Sequence, residues 1–243
     1  MDTALDILLH KLNEHSRIGP EDDAALRSIS VRARHLKPDE DLFAEGSESE
    51  TLALVIDGLI ARYSTRSDGK RQYLSFHMAG DLPDAQALFL SRRDFALCSI
   101  GGARVGLIAR EEFLELVRSR PPIALAVWQE TLVDAAIVRA TIANLGTRPG
   151  RTRMAHLFCE LYYRARSAGI AKQGSCLLPF HQGQLGDALA MSLVTVNRTL
   201  QALRRTGAVQ FRNGEMTVYD WPQLAGIGNF DPGYLHIRRP VRL

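Results

Sequence analysis

No apolar run in the 243-residue chain approaches the ~20 residues needed to span a bilayer, and the short acidic start has neither the basic residues nor the apolar stretch of a secretory leader. A cytoplasmic protein with no membrane partner is expected. Cysteine is scarce as well: Cys98, Cys159 and Cys176 are odd in number, far apart and outside any C-x-x-C spacing. That excludes a disulfide framework and the common zinc and iron-sulfur motifs, and leaves free thiols with structural roles.

What the chain does have is ordinary globular composition, 46% hydrophobic and 23% charged, with length enough for two modest cores. Its formal net charge of +3 hides an asymmetry. Residues 148–221 hold ten basic against four acidic side chains, a net +6, whereas residues 1–147 hold 17 against 22, a net −5. A basic module beside an acidic one suits a nucleic-acid-binding domain tethered to a sensor or interaction domain. It equally suits solvated charge that segregates without consequence.

Between His181 and Tyr219 two short helical stripes precede a hairpin. Leu185, Ala188 and Leu189 make one face; Val196, Leu200 and Leu203 make a second after a break at Ala190-Met191-Ser192, where Ser192 is a natural N-cap. Val209–Arg212 and Glu215–Val218 alternate in polarity around Asn213-Gly214, a pair that favours the positive φ of a two-residue hairpin turn. The layout is that of a winged helix-turn-helix, whose second helix enters the major groove of duplex DNA. Packed helix pairs also occur in ordinary helical domains, but the attached hairpin favours double-stranded DNA as partner. Leu193, Val194, Thr195, Asn197 and Arg198 lie largely off the apolar stripe, on the turns that reach base edges in this motif.

Upstream, Leu5, Leu8, Leu9 and Leu12 form a helical stripe. From about Val31 to Ile108 the pattern turns to short strands punctuated by glycine: Leu52–Ile56 before Asp57-Gly58, Leu59–Ser64 before Ser67-Asp68-Gly69, Tyr73–Met78 before Gly80-Asp81, and Phe95–Leu107 interrupted by Gly101-Gly102. Such spacing predicts an antiparallel roll. Pro121-Pro122 then opens a long helix to about Asn144, with one stripe of Ala126, Val133, Ala136, Ile137 and Ala140 and a neighbouring one of Leu125, Trp128, Leu132 and Ile142. So much apolar circumference needs two partners. The first stripe is expected at a homodimer seam, while a central helix clamped between two domains of one chain is the monomeric alternative. Gly146, Pro149 and Gly150 read as an interdomain hinge.

The expected fold class is α+β, with four parts: residues 1–120, an N-terminal helix and antiparallel β-roll; 121–146, the long dimerisation helix; 147–221, the winged helix-turn-helix; and 222–243, a C-terminal tail of unassigned role. This order of parts resembles the Crp/Fnr family of bacterial transcription regulators, whose roll is a cyclic-nucleotide-binding-like jelly roll. The resemblance runs from about Val31 to Tyr219 and is carried by Glu45-Gly46, Thr51–Gly58, Gly80-Asp81 and, most specifically, Gln184–Leu203. It implies a homodimer on a pseudo-palindromic operator, with an effector site in the roll beside the long helix. A transcription regulator also implies RNA polymerase as a partner.

Two departures from the family pattern matter. Members that bind cyclic AMP carry Gly-Glu and Arg-Ser pairs where this chain has Asp84-Ala85 and Arg93-Asp94. Ala85 cannot bond a ribose hydroxyl, and Asp94 beside Arg93 is expected to repel the ligand's phosphate and compete for the guanidinium. The effector is therefore unknown and not expected to be cyclic AMP, with a cyclic-nucleotide-responsive regulator of modified pocket as the alternative. No cysteine precedes Cys98 to hold an oxygen-sensing cluster, and His35 and His77 have no clustered partners. No catalytic residue, metal or cofactor is expected, and an enzyme on a cupin-like roll with a helical interaction module is the alternative of another class. The second departure is in the reading helix, where Leu193 and Val194 replace polar readers and can only pack on a thymine methyl. Arg198 matches the guanine-reading arginine, Thr195 and Asn197 can hydrogen-bond bases or phosphate, and Ser192 and Gln182 suit the phosphate backbone.

Overall fold

The computed structural model describes residues 3–238, 241 and 243; of the expected tail, residues 239, 240 and 242 lie outside the described residues. Two compact units emerge, Met1–Ser64 with Ser75–Ala135, and Thr65–Leu74 with Ala136–Leu243.

In the first unit, α1 (Ala4–His15) begins at a reciprocal cap: the Thr3 hydroxyl accepts the Asp6 amide at 3.2 Å, and the Asp6 carboxylate accepts the Thr3 amide at 2.7 Å. After α2 (Pro20–Leu26) come β1 (Arg32–Leu36), β2 (Asp41–Phe43), β3 (Thr51–Thr65), β4 (Arg71–His77), whose first four residues are assigned to the second unit, and β5 (Ala96–Ala109). They form one five-stranded sheet in the order β1-β5-β3-β4, with β2 also on β5, and β1, β2 and β3 each run antiparallel to β5.

Asp57-Gly58 is not a turn between separate strands, as its sequence suggests, whereas Gly101-Gly102 interrupts a single strand as expected. They are opposed irregularities within the two long strands β3 and β5. Gly58 has φ +82°, and a Cβ there would stand 2.6 Å from the Gly102 carbonyl oxygen. Glycine is needed for that backbone approach, and the paired kinks bend the β3–β5 ribbon.

Helices α3 (Arg110–Ser119) and α4 (Pro121–Thr147) follow β5. Leu8, Leu12, Leu26, Leu52, Leu54, Leu88, Ile108, Phe113 and Ala126 belong to one core, so the amphipathic leader and the start of α4 are built into the roll's interior. Ala126, Val133, Ala136 and Ile137 are accordingly buried within the single chain, and Ala140 is half-buried. The exposed apolar residues of α4 are instead Leu125 (65%), Trp128 (58%), Leu132 (50%) and Ile142 (65%). The expectation of a seam on the first stripe is corrected: that stripe is used up by intrachain packing, and its neighbour is left bare.

The second unit contains α5 (Gly150–Ser167), β6 (Ser175–Leu177), α6 (Gln182–Leu189), α7 (Leu193–Arg205), β7 (Val209–Arg212), β8 (Glu215–Val218) and α8 (Trp221–Gly228). Its three strands pair in the order β6-β8-β7, so the expected hairpin gains a third strand. Cys98, Cys159 and Cys176 are buried and lie outside any disulfide. Burial pushes the Cys176 thiol up to about 12 and that of Cys159 higher, so neither forms the reactive thiolate at neutral pH.

Candidate nucleic-acid interface

The turn between α6 and α7 is set by two residues. Ala190 takes a left-handed conformation, φ 52°, that ends α6. At Gly186 a Cβ would lie 2.7 Å from the Met191 carbonyl oxygen, so any larger residue would force the helices apart. Leu185, Leu189, Val196 and Leu203 then close the apolar side.

Helix α6 starts at a second reciprocal cap, in which His181 Nδ1 accepts the Gln184 amide at 3.2 Å and the Gln184 side chain accepts the His181 amide at 3.0 Å. Ser192 caps α7 as expected, its hydroxyl accepting the Thr195 amide at 3.2 Å.

Capping leaves the first turns of α7 presented outward. Leu193 is 60% and Val194 77% exposed, and Asn197 and Arg198 are also exposed. Thr195 is half-buried, with its hydroxyl 2.9 Å from that of Ser192. Gln182 stands exposed at the N-terminus of α6, on the rim of a groove of about 540 Å³ that Leu200, Arg212 and Asn213 also line. Of the expected DNA-facing residues, Gln182, Ser192, Leu193, Val194, Asn197 and Arg198 are exposed and Thr195 is half-buried.

Two neighbours of these residues were not singled out in the sequence. Gln201 donates through Nε2 to Asn197 Oδ1 at 2.8 Å, one helical turn away. This i,i+4 amide pair was open to reading from spacing alone. Arg212 flanks the hairpin turn and adds a cation beside α6, signalled only by its neighbours Asn213-Gly214.

In the roll, Arg93 is buried and internally satisfied. Its Nε and Nη2 donate to Asp84 Oδ2 at 3.2 and 3.0 Å, Nη1 donates to the Glu48 carbonyl and reaches Ser47 Oγ at 3.5 Å, and Nη2 also donates to the Thr51 carbonyl. The five N–H groups of a guanidinium all have acceptors. The Phe43 ring lies 3.7 Å below the guanidinium carbon.

Asp84 is fully buried, with its second oxygen accepting the Ala53 amide at 2.8 Å. Burial pushes its carboxyl up from the ordinary value, while the Ala53 amide and Arg93 pull it back down. Asp94, expected to compete for Arg93, is exposed, and the carboxylate that pairs with the arginine is Asp84. The reason is the 3-10 turn Ala85–Leu88, which begins directly after Asp84 and buries Ala85 as well.

Comparison with known proteins agrees with this architecture. Residues 152–227 match the Crp-like helix-turn-helix domain and residues 33–120 the cyclic nucleotide-binding domain. The chain is 28% identical over 189 residues to the transcriptional activatory protein AadR of Rhodopseudomonas palustris, covering 77% of each chain. It is 25% identical over 202 residues to the nitrogen fixation regulation protein FixK of Bradyrhizobium diazoefficiens, covering 82% of this chain and 84% of the relative. Among solved structures, FixK2 from Bradyrhizobium japonicum superposes with a TM-score of 0.73 at 23% identity, covering 82% of this chain and 98% of that one, and so shares the fold. Among the described residues no helix is long and apolar enough to cross a membrane. With a cyclic nucleotide-binding domain at residues 33–120 followed by a Crp-like helix-turn-helix domain at residues 152–227, the chain has the domain pair of the Crp/Fnr-type DNA-binding transcription regulators to which it is similar.

Proposed function

We propose that the chain acts in the cytoplasm as a homodimer that reads a pseudo-palindromic operator and conveys its occupancy to RNA polymerase. The observation that carries this reading is the capped, outward-facing start of α7, where Leu193, Val194, Asn197 and Arg198 are all exposed.

Leu193 and Val194 pack on thymine methyl groups, and Arg198 takes guanine O6 and N7. Asn197 accepts from Gln201 at Oδ1 and keeps both Nδ2 donors for base edges such as thymine O4 or guanine. Gln182 and Ser192 at the two helix starts, with Arg212 of the wing, hold backbone phosphates. The second copy packs along Leu125, Trp128, Leu132 and Ile142, with Ala135 and Arg139 between them, a spacing that follows the heptad steps of a two-stranded seam.

Operator binding does not depend on cyclic AMP. Arg93 has no N–H left for a phosphate, and the buried Asp84 carboxylate stands where an anion would have to approach. The test is selection of bound duplexes from random DNA, with and without cyclic AMP. An inverted repeat with thymine and guanine at fixed places, identical in both arms, is expected. Absence of any enriched sequence would overturn specific recognition, and enrichment only with cyclic AMP would restore a working nucleotide pocket.

A further inference from the structure

The segment after the wing extends beyond the matched helix-turn-helix domain, which ends at residue 227, and its backbone is pressed onto α5. A Cβ on Gly228 would stand 2.9 Å from the His156 amide nitrogen and 3.0 Å from the Ala155 carbonyl carbon, so only glycine allows this approach. Beyond it, the Phe230 ring meets His156 edge-on at 5.4 Å, and Tyr234, on the 3-10 turn Pro232–Leu235, stacks over His156 at 6.0 Å. Phe230 also packs against Tyr163 and Trp221 at 5.9 and 5.7 Å.

A polar chain runs through this aromatic cluster to the corner between α4 and α5. Arg148 Nη1 lies 2.6 Å from His156 Nδ1 and donates to Asn144 Oδ1 at 3.2 Å, while Nη2 donates to the Asn229 carbonyl at 3.3 Å. Asn144 in turn donates to the Arg153 carbonyl at 3.2 Å. An arginine has only N–H to offer, so His156 Nδ1 accepts and its proton sits on Nε2, facing Tyr234 Oη at 3.4 Å. The 3.2 Å approach of Nδ1 to the Gly228 carbonyl is then a close contact without a proton between. Tyr234 Oη donates to Glu160 Oε2 at 2.8 Å, and Glu160 is paired with Arg164 at 3.3 Å. One side chain, Arg148, therefore ties together the end of α4, the first turns of α5 and the chain's C-terminal segment.

We propose that residues 228–235 and Arg148 form a clamp that stiffens the α4–α5 corner, making Arg148 and Tyr234 positioning residues for operator binding. Gly146, Pro149 and Gly150 would otherwise make this corner a free hinge. The end of α4 belongs to the same compact unit as α5 to α8, so the clamp fixes the direction in which the reading domain leaves the long helix. Two reading helices on one operator require that direction to match in both protomers, and in this respect the clamp rests on the dimeric reading above.

The test compares the full-length protein with its Arg148→Ala and Tyr234→Phe variants on the selected operator and on an isolated half-site, alongside amide hydrogen exchange at residues 145–153. Tyr234→Phe keeps the ring and removes only the hydroxyl, so it guards against loss of folding. Both variants should lose about tenfold or more on the full operator, with half-site affinity essentially kept, because geometry limits simultaneous engagement and not each contact. Exchange at 145–153 should quicken. Equal losses on both duplexes would mean that these residues merely stabilise the domain, and unchanged affinity and exchange would remove the clamp altogether. If the wild type binds the operator no better than the half-site, the dimeric reading fails, and the exchange data alone then decide for or against a stiffened corner.

Discussion

At the scale of single residues, Arg198 is expected to carry base discrimination. A bidentate contact to guanine is worth about 1–3 kcal/mol of discrimination, whereas a phosphate contact weakens all sequences alike. Arg198→Ala should therefore relax preference at one symmetric base pair per half-site and leave binding to random DNA nearly intact, as competition assays would show. Equal loss on specific and random duplexes, with a shallower salt dependence, would make Arg198 a phosphate clamp.

His156 offers a second test. Burial, and then the neighbouring Arg148 charge, lower its pKa from 6.5 to about 4, against a smaller upward pull from the Gly228 carbonyl. The unfolded chain binds a proton here that the folded chain refuses, so the contribution is complete above pH 6.5 and is lost as pH falls toward 4. It amounts to no more than about 3 kcal/mol. Urea unfolding across this window should show stability falling with acid, and His156→Gln should flatten that slope; an unchanged slope would place the titrating group elsewhere. Ser192 was legible as a cap because a hydroxyl directly precedes the second stripe. The Arg93 partner was not, since adjacency along the chain pointed to Asp94, and only the fold brings in Asp84, nine residues back.

At the scale of elements, α4 shows how far periodicity reaches. Spacing reveals two apolar stripes on the helix, but both are apolar, and nothing in spacing says which one the chain covers itself. The docking of α1, β3 and β5 against its first turns decides that. The bare stripe yields a prediction: Leu132→Glu should turn a dimer into a folded monomer in light scattering, because burying an unpaired carboxylate in an apolar seam costs several kcal/mol. Leu132 is half exposed in the single chain, so the monomer should keep its melting behaviour. A wild type already monomeric at micromolar concentration would remove the seam. Helix α5 follows the same rule in reverse. Met154, Ala155, Phe158, Cys159, Tyr162 and Ala165 recur at helical spacing and could have been read, but the glycines and proline at 146–150 draw attention to a loop. Strand β3 was divided for a similar reason: glycine marks a turn and an in-strand kink with the same letter.

At the scale of the whole molecule, the order of parts and the opposite charge of the two halves were open to reading, because both are properties of long windows that local packing does not alter. What stayed hidden is how the roll uses its interior. An arginine with every N–H engaged leaves no vacancy for a messenger phosphate, so on the proposed reading information must enter by another route. Pairing of two copies is second order in chain, and the paired fraction rises with the amount present. If the chain pairs as proposed, a regulator that carries its own counter-ion where an anionic effector would bind reports its own abundance, and its output becomes a matter of how much of it the cell makes and keeps.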